Sequence, residues 1–161
     1  MTTAQYNQCV DAYADGVYRF ILKNIRDEEK ARDIVQDSFE KMWLKVDTIS
    51  EEKARSYLFT TAYHTMIDTI RRDSRHTEFD EGAVRDSGYT DEYSDLKEVL
   101  NKAVSRLPDI QRSVIMLRDY EGYSYQEIGE ITGLNESQVK VYIYRARVFL
   151  KNYIRRLDVV V

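Results

Sequence analysis

The stretch GYSYQEIGEITGLNESQVKVYIYRARVFL, residues 122–150, decides the fold of the C-terminal half of the chain. Ser124 and Glu127 have the spacing of a capping box, in which each side chain satisfies the other residue's free backbone amide at a helix N-terminus. Asn135 and Gln138 repeat this spacing eleven residues later. Two helix starts this close together leave room for a short helix, a tight turn and a second helix. The stretch therefore predicts a helix-turn-helix.

Two glycines and several apolar residues support this prediction. Gly129 lets the two helices approach each other, Gly133 permits the turn, and Val139 fills the gap between the helices. An ordinary helical hairpin is the alternative interpretation, and the charge of the second helix argues against it. The shared core is expected to contain Ile128, Ile131, Leu134 and Ile143.

The second helix of this pair is cationic. Residues 137–156 include six basic residues and no acidic one. A solvated surface helix usually mixes charges, whereas a helix that enters the major groove needs cations and groups that reach base edges. Base contacts give sequence preference, and phosphate contacts mainly give affinity. By position, we expect base-edge contacts from Lys140, Val141, Tyr144 and Arg145, and phosphate contacts from Ser137, Gln138, Tyr142 and Arg147.

Charge is segregated along the chain, although the net charge is only −4. Residues 73–95 carry eight acidic and two basic residues, whereas residues 96–161 carry eleven basic and eight acidic residues. A local field matters more to a phosphate backbone than the charge of the whole chain does. The acidic stretch lacks sustained apolar periodicity and holds two glycines, so it predicts a flexible linker. A solvated tether is the simplest account of it.

The rest of the chain is helical by pattern. One proline and six glycines among 161 residues favour long helices over a turn-rich β architecture. Apolar residues recur at three- and four-residue steps from Tyr6 to Phe20, and Asp27 can cap a second helix. A third helix is expected to start near Ser50, and further ones at Asp95 and at Ile110, the last ending at Gly122.

We therefore predict an all-α protein with two small helical domains. The expected domains are residues 1–75 and 96–161, and a flexible acidic linker is expected to join them at residues 76–95.

Several classes of function are disfavoured. Cys9 is the one cysteine, so no intrachain disulfide and no cysteine metal cluster can form, which fits a reducing compartment. No signal peptide and no apolar run of about 20 residues is present, so we expect a cytoplasmic protein without membrane insertion. His64 is not expected to bind a metal, because His76, the second of the two histidines, lies in the predicted linker. No paired acid and base or activated nucleophile is recognisable. We expect no metal, no cofactor and no enzymatic activity.

Three blocks of sequence resemble one family. DEEKARDIVQDSFEKMWLKVDTI (27–49) is similar to the core-polymerase-binding helix of sigma factors of the extracytoplasmic-function (ECF) group, a branch of the sigma-70 family. KARSYLFTTAYHTMIDTIRRDSR (53–75) resembles the helix of those proteins for the downstream (−10) promoter element. Residues 107–150 resemble their upstream (−35) reader. The order of the blocks and the acidic linker between the second and third also match the family.

The resemblance implies a polymerase-binding face on the second helix, at Asp33, Gln36, Asp37 and Glu40. The implied partner is core RNA polymerase, contacted at the clamp helices of its largest subunit and at its flap. A solvated acidic face is the alternative interpretation of these four residues. We expect Phe39 and Met42 to belong to the core, and the pattern leaves Trp43 open as core or partner contact.

The resemblance also implies that the third helix captures unstacked bases of the downstream element. Aromatic or amide groups for the base and cations for the backbone are suited to this task. The chain departs from the family at one position, because the family often has asparagine where this chain has His64, so base preference there does not transfer. The matching residues are Tyr63, His64, Arg71 and Arg72, and the loop Asp47 to Lys53 is expected to help form the pocket.

The function implied by the resemblance is that of an ECF-type sigma factor. Such a protein binds core RNA polymerase and directs sequence-specific promoter recognition and transcription initiation. The resemblance also predicts an inhibitory anti-sigma factor as a partner. A stand-alone helix-turn-helix regulator is the main alternative and predicts tight dimeric binding to a palindromic site. A pure interaction protein, such as an adaptor, is the second alternative, and it assigns no function to the cationic helix.

Overall fold

The helices of the chain form two compact units in a computed structural model that describes residues 1–77 and 95–158. The units are Met1–Arg85 and Asp86–Val161, and each is considered by itself. Residues 78–94 of the linker predicted at residues 76–95 lie outside the described residues. Every regular element of the described ranges is helical, which confirms the all-α prediction.

The described elements follow the chain in a simple order. Residues 1–77 and 95–158 contain seven α-helices, and a short π-helical segment continues the fifth. The elements are α1 (Thr3–Ile25), α2 (Glu28–Leu44), α3 (Glu51–Thr77), α4 (Asp95–Ser105), α5 (Asp109–Ile115), the π segment (Met116–Tyr120), α6 (Tyr125–Thr132) and α7 (Glu136–Asp158).

The first unit is a bundle of α1, α2 and α3, each of which packs on the other two. Its helix starts are encoded locally. The Thr2 hydroxyl accepts from the amide of Gln5 while the Gln5 side chain accepts from the amide of Thr2, a capping box at α1. The Asp27 carboxylate accepts from the amide of Lys30 and caps α2, as predicted. Arg26, between these helices, adopts the left-handed conformation at φ 58°, which lets the chain reverse.

Large apolar side chains from all three helices fill the core of the first unit. Phe20 of α1 and Phe59 of α3 are almost fully buried, and their ring centroids lie 5.7 Å apart. Phe39 and Met42 are buried, which confirms that both belong to the core. Ser38 is a polar member of the core, and its hydroxyl donates to the carbonyl of Ile34 at 2.8 Å, so its burial leaves that donor satisfied.

The second unit is organised around α7, which packs on α4, α5 and α6. Val114, Leu117, Ile128, Ile131 and Ile143 have 2% or less of their surface exposed. Burying one such aliphatic side chain contributes about 1.5–3 kcal/mol. The cationic helix therefore rests on a packed support that is shared with its neighbours.

Two expectations for the second unit are wrong in detail. The helix predicted from Ile110 to Glu121 starts at Asp109 and changes to π-helical hydrogen bonding from Met116 to Tyr120, before Gly122 ends it at φ 76°. The spacing of Leu96, Val99, Leu100 and Ala103 predicts one buried face for α4, but Leu96 is 69% exposed at the start of the helix, and the first buried residue of α4 is Ala103.

Candidate nucleic-acid interface

The helix-turn-helix forms as its capping residues predict. The Ser124 hydroxyl accepts from the amide of Glu127 at 3.1 Å, and the Glu127 carboxylate accepts from the amide of Ser124 at 3.0 Å. The second capping box is also present, with 2.8 and 3.0 Å between the side chains and amides of Asn135 and Gln138. Gly133 ends α6 in the left-handed region at φ 81°. Each cap contributes about 1 kcal/mol, so the chain itself fixes both ends of the turn.

Gly129 determines how closely the turn packs on α6. A Cβ atom built on Gly129 would lie 2.7 Å from the carbonyl oxygen of Leu134 and 3.9 Å from a methyl group of Val139. Val139 itself is fully buried. Glycine is therefore required because the backbone of the turn, rather than the second helix, occupies the space a side chain would fill. The sequence predicted that Gly129 is needed for close packing, and the structure shows that the carbonyl oxygen of Leu134 is the atom that packs against it.

The outward face of α7 places the predicted DNA-contacting residues together. Val141 and Tyr144 are 44% and 70% exposed, so both side chains are accessible to a partner. Tyr142 is half-buried, at the edge of this face. The exposed polar members are Ser137, Gln138, Lys140, Arg145 and Arg147.

Carboxylates hold two of these cations, one from the same helix at i,i+4 spacing and one from another element. The cationic helix begins at Glu136, one residue before the acid-free stretch 137–156. The carboxylate of Glu136 lies 3.5 Å from the ammonium of Lys140. The Arg147 guanidinium donates to the Asp119 carboxylate at 2.8 Å. Asp119 comes from the π segment, 28 residues earlier, so only the tertiary fold could reveal this pair.

The predicted polymerase-binding residues share one surface of α2. Asp33, Gln36 and Glu40 are exposed, and Asp37 is half-buried beside Lys41, with 2.9 Å between the charged groups. An exposed pair of this kind is worth well under about 1 kcal/mol, so the Asp37 carboxylate can exchange Lys41 for another cation at little cost.

The aromatic residues next to this acidic face join it to α1. The Tyr6 hydroxyl donates to the carbonyl of Phe39 at 2.9 Å, and the Tyr6 ring meets Trp43 edge-on at 5.0 Å between centroids. Burial, and to a lesser extent the Glu40 carboxylate, raise the pKa of Tyr6, so its hydroxyl stays a donor. Trp43 is 46% exposed, so half of its ring is available beside the acidic residues.

On α3 the predicted base-capture residues are not equally accessible. His64, Arg71 and Arg72 are exposed. Tyr63 has only 5% of its surface exposed, and its ring meets the His64 ring edge-on at 5.6 Å. Tyr63 therefore supports His64 from inside the bundle, and its ring has no open face for stacking with a base. The spacing of Tyr63 from Phe59 and Met66, four residues after one and three before the other, signalled this burial.

No group of three or more His, Cys, Asp or Glu residues placed to hold a metal ion occurs within residues 1–77 and 95–158. Over the same part of the chain, no helix combines the length and apolar character needed to cross a bilayer.

Comparison with known proteins matches both units to one family. The sigma-70 region 2 family matches residues 9–76, and the sigma-70 region 4 family matches residues 97–150. RNA polymerase sigma factor SigV of Bacillus subtilis is 29% identical over 98% of this chain and 95% of its own length. ECF RNA polymerase sigma factor SigL of Mycobacterium tuberculosis is 30% identical, over 92% of this chain and 88% of its own length.

A solved structure shows the same likeness. The sigma factor RpoE from Bartonella quintana, in complex with the anti-sigma factor NepR, aligns with a TM-score of 0.77 and 25% identity over 93% of this chain and 96% of that one. The fold and the paired regions define a sigma factor of the sigma-70 family. The chain belongs to the ECF RNA polymerase sigma factors.

Proposed function

We propose that the two units divide the work of an ECF sigma factor between one polymerase-binding surface and two DNA-reading surfaces. The boundaries we assign are residues 1–75 for region 2 and 96–161 for region 4. The observation that carries this proposal is the cationic face of α7, supported by a helix-turn-helix whose turn is fixed by Gly129 and two capping boxes. A helix of this kind, exposed and mounted on a compact base, suits the major groove.

The acidic face of α2 is the proposed docking site for core RNA polymerase. Asp33, Asp37 and Glu40 present three carboxylates, and Gln36 adds an amide, over about two helical turns. The proposed partners on the polymerase are the clamp helices of its largest subunit, and the flap is proposed for the second unit. The half-exposed Trp43 ring beside the acidic residues supplies an apolar contact at the same surface.

The surfaces of α7 and α3 are proposed to read the upstream and downstream promoter elements. On α7, Lys140, Val141, Tyr144 and Arg145 face the base edges. Lysine and arginine contact guanine, and apolar groups contact the thymine methyl. On α3, His64 stacks with an unstacked base, while Arg71 and Arg72 neutralise the backbone. Binding by each reader alone is weak, so polymerase is expected to supply the geometry in which both engage.

We infer two further properties from the family. An anti-sigma factor is the proposed inhibitor, since the RpoE structure holds one and spans nearly the same length of chain. The protein is proposed to have no catalytic activity or cofactor of its own and to act in the cytoplasm, where core polymerase is found.

Association with core polymerase tests this proposal against the stand-alone regulator. The purified chain is mixed with core enzyme and separated by size, and its binding to duplex DNA is measured without polymerase in parallel. A sigma factor comigrates with core enzyme and binds DNA weakly alone. Tight dimeric binding to a palindromic duplex, without comigration, would establish the regulator instead.

A further inference from the structure

Cations from two elements, the π segment and α7, gather around the ring of Tyr125, the first residue of α6. The guanidinium carbon of Arg118 lies 4.6 Å from the centroid of the ring, and the ammonium of Lys140 lies 5.7 Å from it. Cations within about 6 Å of an aromatic centroid are attracted by the negative charge of the ring face. Tyr125 therefore holds one cation from the π segment and one from α7 close together.

Arg118 and Arg147 are each fixed by a further contact. Arg118 donates to the carbonyl of Tyr123 at 2.9 Å, which orients its guanidinium. Arg147 donates to the carboxylate of Asp119 at 2.8 Å, with side-chain exposures of 50% and 44%. The pKa of Arg147 is raised, first by this hydrogen bond, and Tyr125 contributes to the same shift. The cluster thus holds three cations against two carboxylates, Asp119 on Arg147 and Glu136 at 3.5 Å from Lys140, at the start of the helix-turn-helix.

We propose that the cations around Tyr125 form a binding site for one backbone phosphate of duplex DNA, and that Asp119 occupies the place of this phosphate on Arg147 while DNA is absent. The proposal rests on the proposed function, because it assumes that the second unit binds DNA. It assigns roles to three residues outside the predicted recognition surface, namely Arg118, Asp119 and Tyr125.

The chemistry of the Asp119 contact favours a phosphate as the ligand. Carboxylate and phosphate offer the guanidinium fork the same pair of anionic acceptors, so one can replace the other. A base edge offers Arg147 neutral acceptors, which compete poorly with a carboxylate. The α6 N-terminus begins at Tyr125 and adds the positive end of a helix dipole to the site. Because the pair is half exposed, a phosphate can displace Asp119 without unfolding any element.

A contact of this kind lowers affinity for every DNA sequence equally. DNA must displace Asp119 from Arg147 whichever bases are present, so sequence preference is unaffected. The Asp119→Asn variant keeps the shape of the side chain and removes its charge. We expect this variant to bind specific and non-specific duplexes about three- to fivefold more tightly, the range of a half-exposed ion pair.

The test measures binding of the full-length chain to labelled duplex DNA by fluorescence anisotropy, from about 50 to about 200 mM salt. Glu130→Gln is the matched control, because Glu130 is an exposed carboxylate on α6 and its loss changes the net charge equally. An Asp119→Asn affinity equal to that of Glu130→Gln overturns the proposal. A gain above that control, with a salt dependence steeper by up to about 0.9 in slope, supports it, since Arg147 then exchanges a counterion for the phosphate.

Two further measurements locate the effect. In an Arg147→Gln background, Asp119→Asn is expected to give no gain in DNA affinity. A gain that persists in this background would show that Asp119 acts by long-range charge alone. Duplexes with a single neutral methylphosphonate, scanned across the upstream element, are expected to abolish the gain at one position. If no position does so, the phosphate assignment is wrong.

The failure of this inference is distinguishable from failure of the proposed function. The same wild-type preparation is tested for comigration with core polymerase and for promoter-directed transcripts. If it passes both and Asp119→Asn behaves like Glu130→Gln, only the phosphate site is wrong. If it passes neither, the proposed function has failed first.

Discussion

The proposed docking face of α2 and the proposed reading face of α7 are opposite in charge and are built in different ways. On α2, the carboxylates follow one surface of one helix, and the ion pair they make, Asp37 with Lys41, lies within that helix. On α7, Lys140 also pairs within its helix, with Glu136, but the cations reach groups from other elements as well, Arg147 contacting Asp119 and Lys140 the ring of Tyr125. A docking face of this kind therefore needs only a helix whose acidic residues are spaced to lie along one side. A reading face also depends on how its neighbours orient it.

This difference predicts that charge changes on α2 remove one function and leave everything else intact. Replacing both Gln36 and Asp37 by lysine (Gln36→Lys, Asp37→Lys) makes this part of the face positive and should weaken binding to core polymerase about 100-fold or more, as expected for the centre of an interface. The free energy of unfolding should change by less than about 0.5 kcal/mol, because both positions lie outside the core.

Sedimentation or fluorescence titration with core enzyme measures this effect. Asp15→Lys, an exposed carboxylate of α1, is the control for charge alone. Transcription by the double variant at wild-type levels would show that α2 is not the docking surface.

Changes in the support of α7 should act on the whole reading face at once. Gly129→Ala brings a methyl group against the Leu134 carbonyl, at 2.7 Å before any adjustment. Backbone does not yield easily, so we expect the second unit to lose about 2–3 kcal/mol of stability.

Hydrogen exchange of the amides of α6 and α7 reports this loss. Trp43 fluorescence reports the first unit and should be unchanged, which provides an internal control. Glu130→Ala, one residue along the same helix, should cost less than about 0.5 kcal/mol. Equal protection in Gly129→Ala and wild type would mean that the turn is not packed as described.

Single changes on the exposed face of α7 should alter which DNA is bound rather than whether the unit folds. Lys140→Ala or Arg145→Ala is expected to lose roughly 1–2 kcal/mol of discrimination at one position of the upstream element. Binding selections from a randomised upstream element show the change directly. Lys151→Ala, at the exposed end of the same helix, serves as the comparison. Uniform weakening on all sequences would make Lys140 and Arg145 phosphate ligands.

The smallest expected effect is in the first unit, at the one exposed aromatic of the proposed base-capture set. His64→Ala should lose about 1 kcal/mol of preference for the downstream element, the lower end for base stacking on an aromatic ring. Polymerase binding should not change. The measurement is competition between downstream-element variants in complexes with core enzyme, and identical preferences in both proteins would remove His64 from the reader.

Local signals in the sequence predicted the fold well, and tertiary contacts account for what it did not predict. Helix caps at Ser124 and Asn135 depend on residues three positions away, so their pattern is legible along the chain. The π segment could not be predicted from the sequence, because no residue between Met116 and Tyr120 interrupts the helical periodicity. The Asp119 contact joins elements far apart in sequence, whereas the spacing of Tyr63 from Phe59 and Met66 already indicated that Tyr63 is buried.

The same distinction between local sequence signals and tertiary contacts applies to the candidate site. All four residues of the α2 face share one surface, as helical spacing requires. Of the four residues proposed on α3, the structure exposes three and buries Tyr63. The cluster around Tyr125 had no sequence signal, since its cations are spaced irregularly and come from two elements.

The most direct test of the account is to map transcript 5′ ends made by core polymerase with and without the chain on a broad pool of bacterial promoter fragments. The account predicts new start sites that share an upstream and a downstream element. It also predicts that the α2 double variant abolishes them and that Arg145→Ala moves them to fragments with an altered upstream element. Start sites identical to those of core polymerase alone would contradict it.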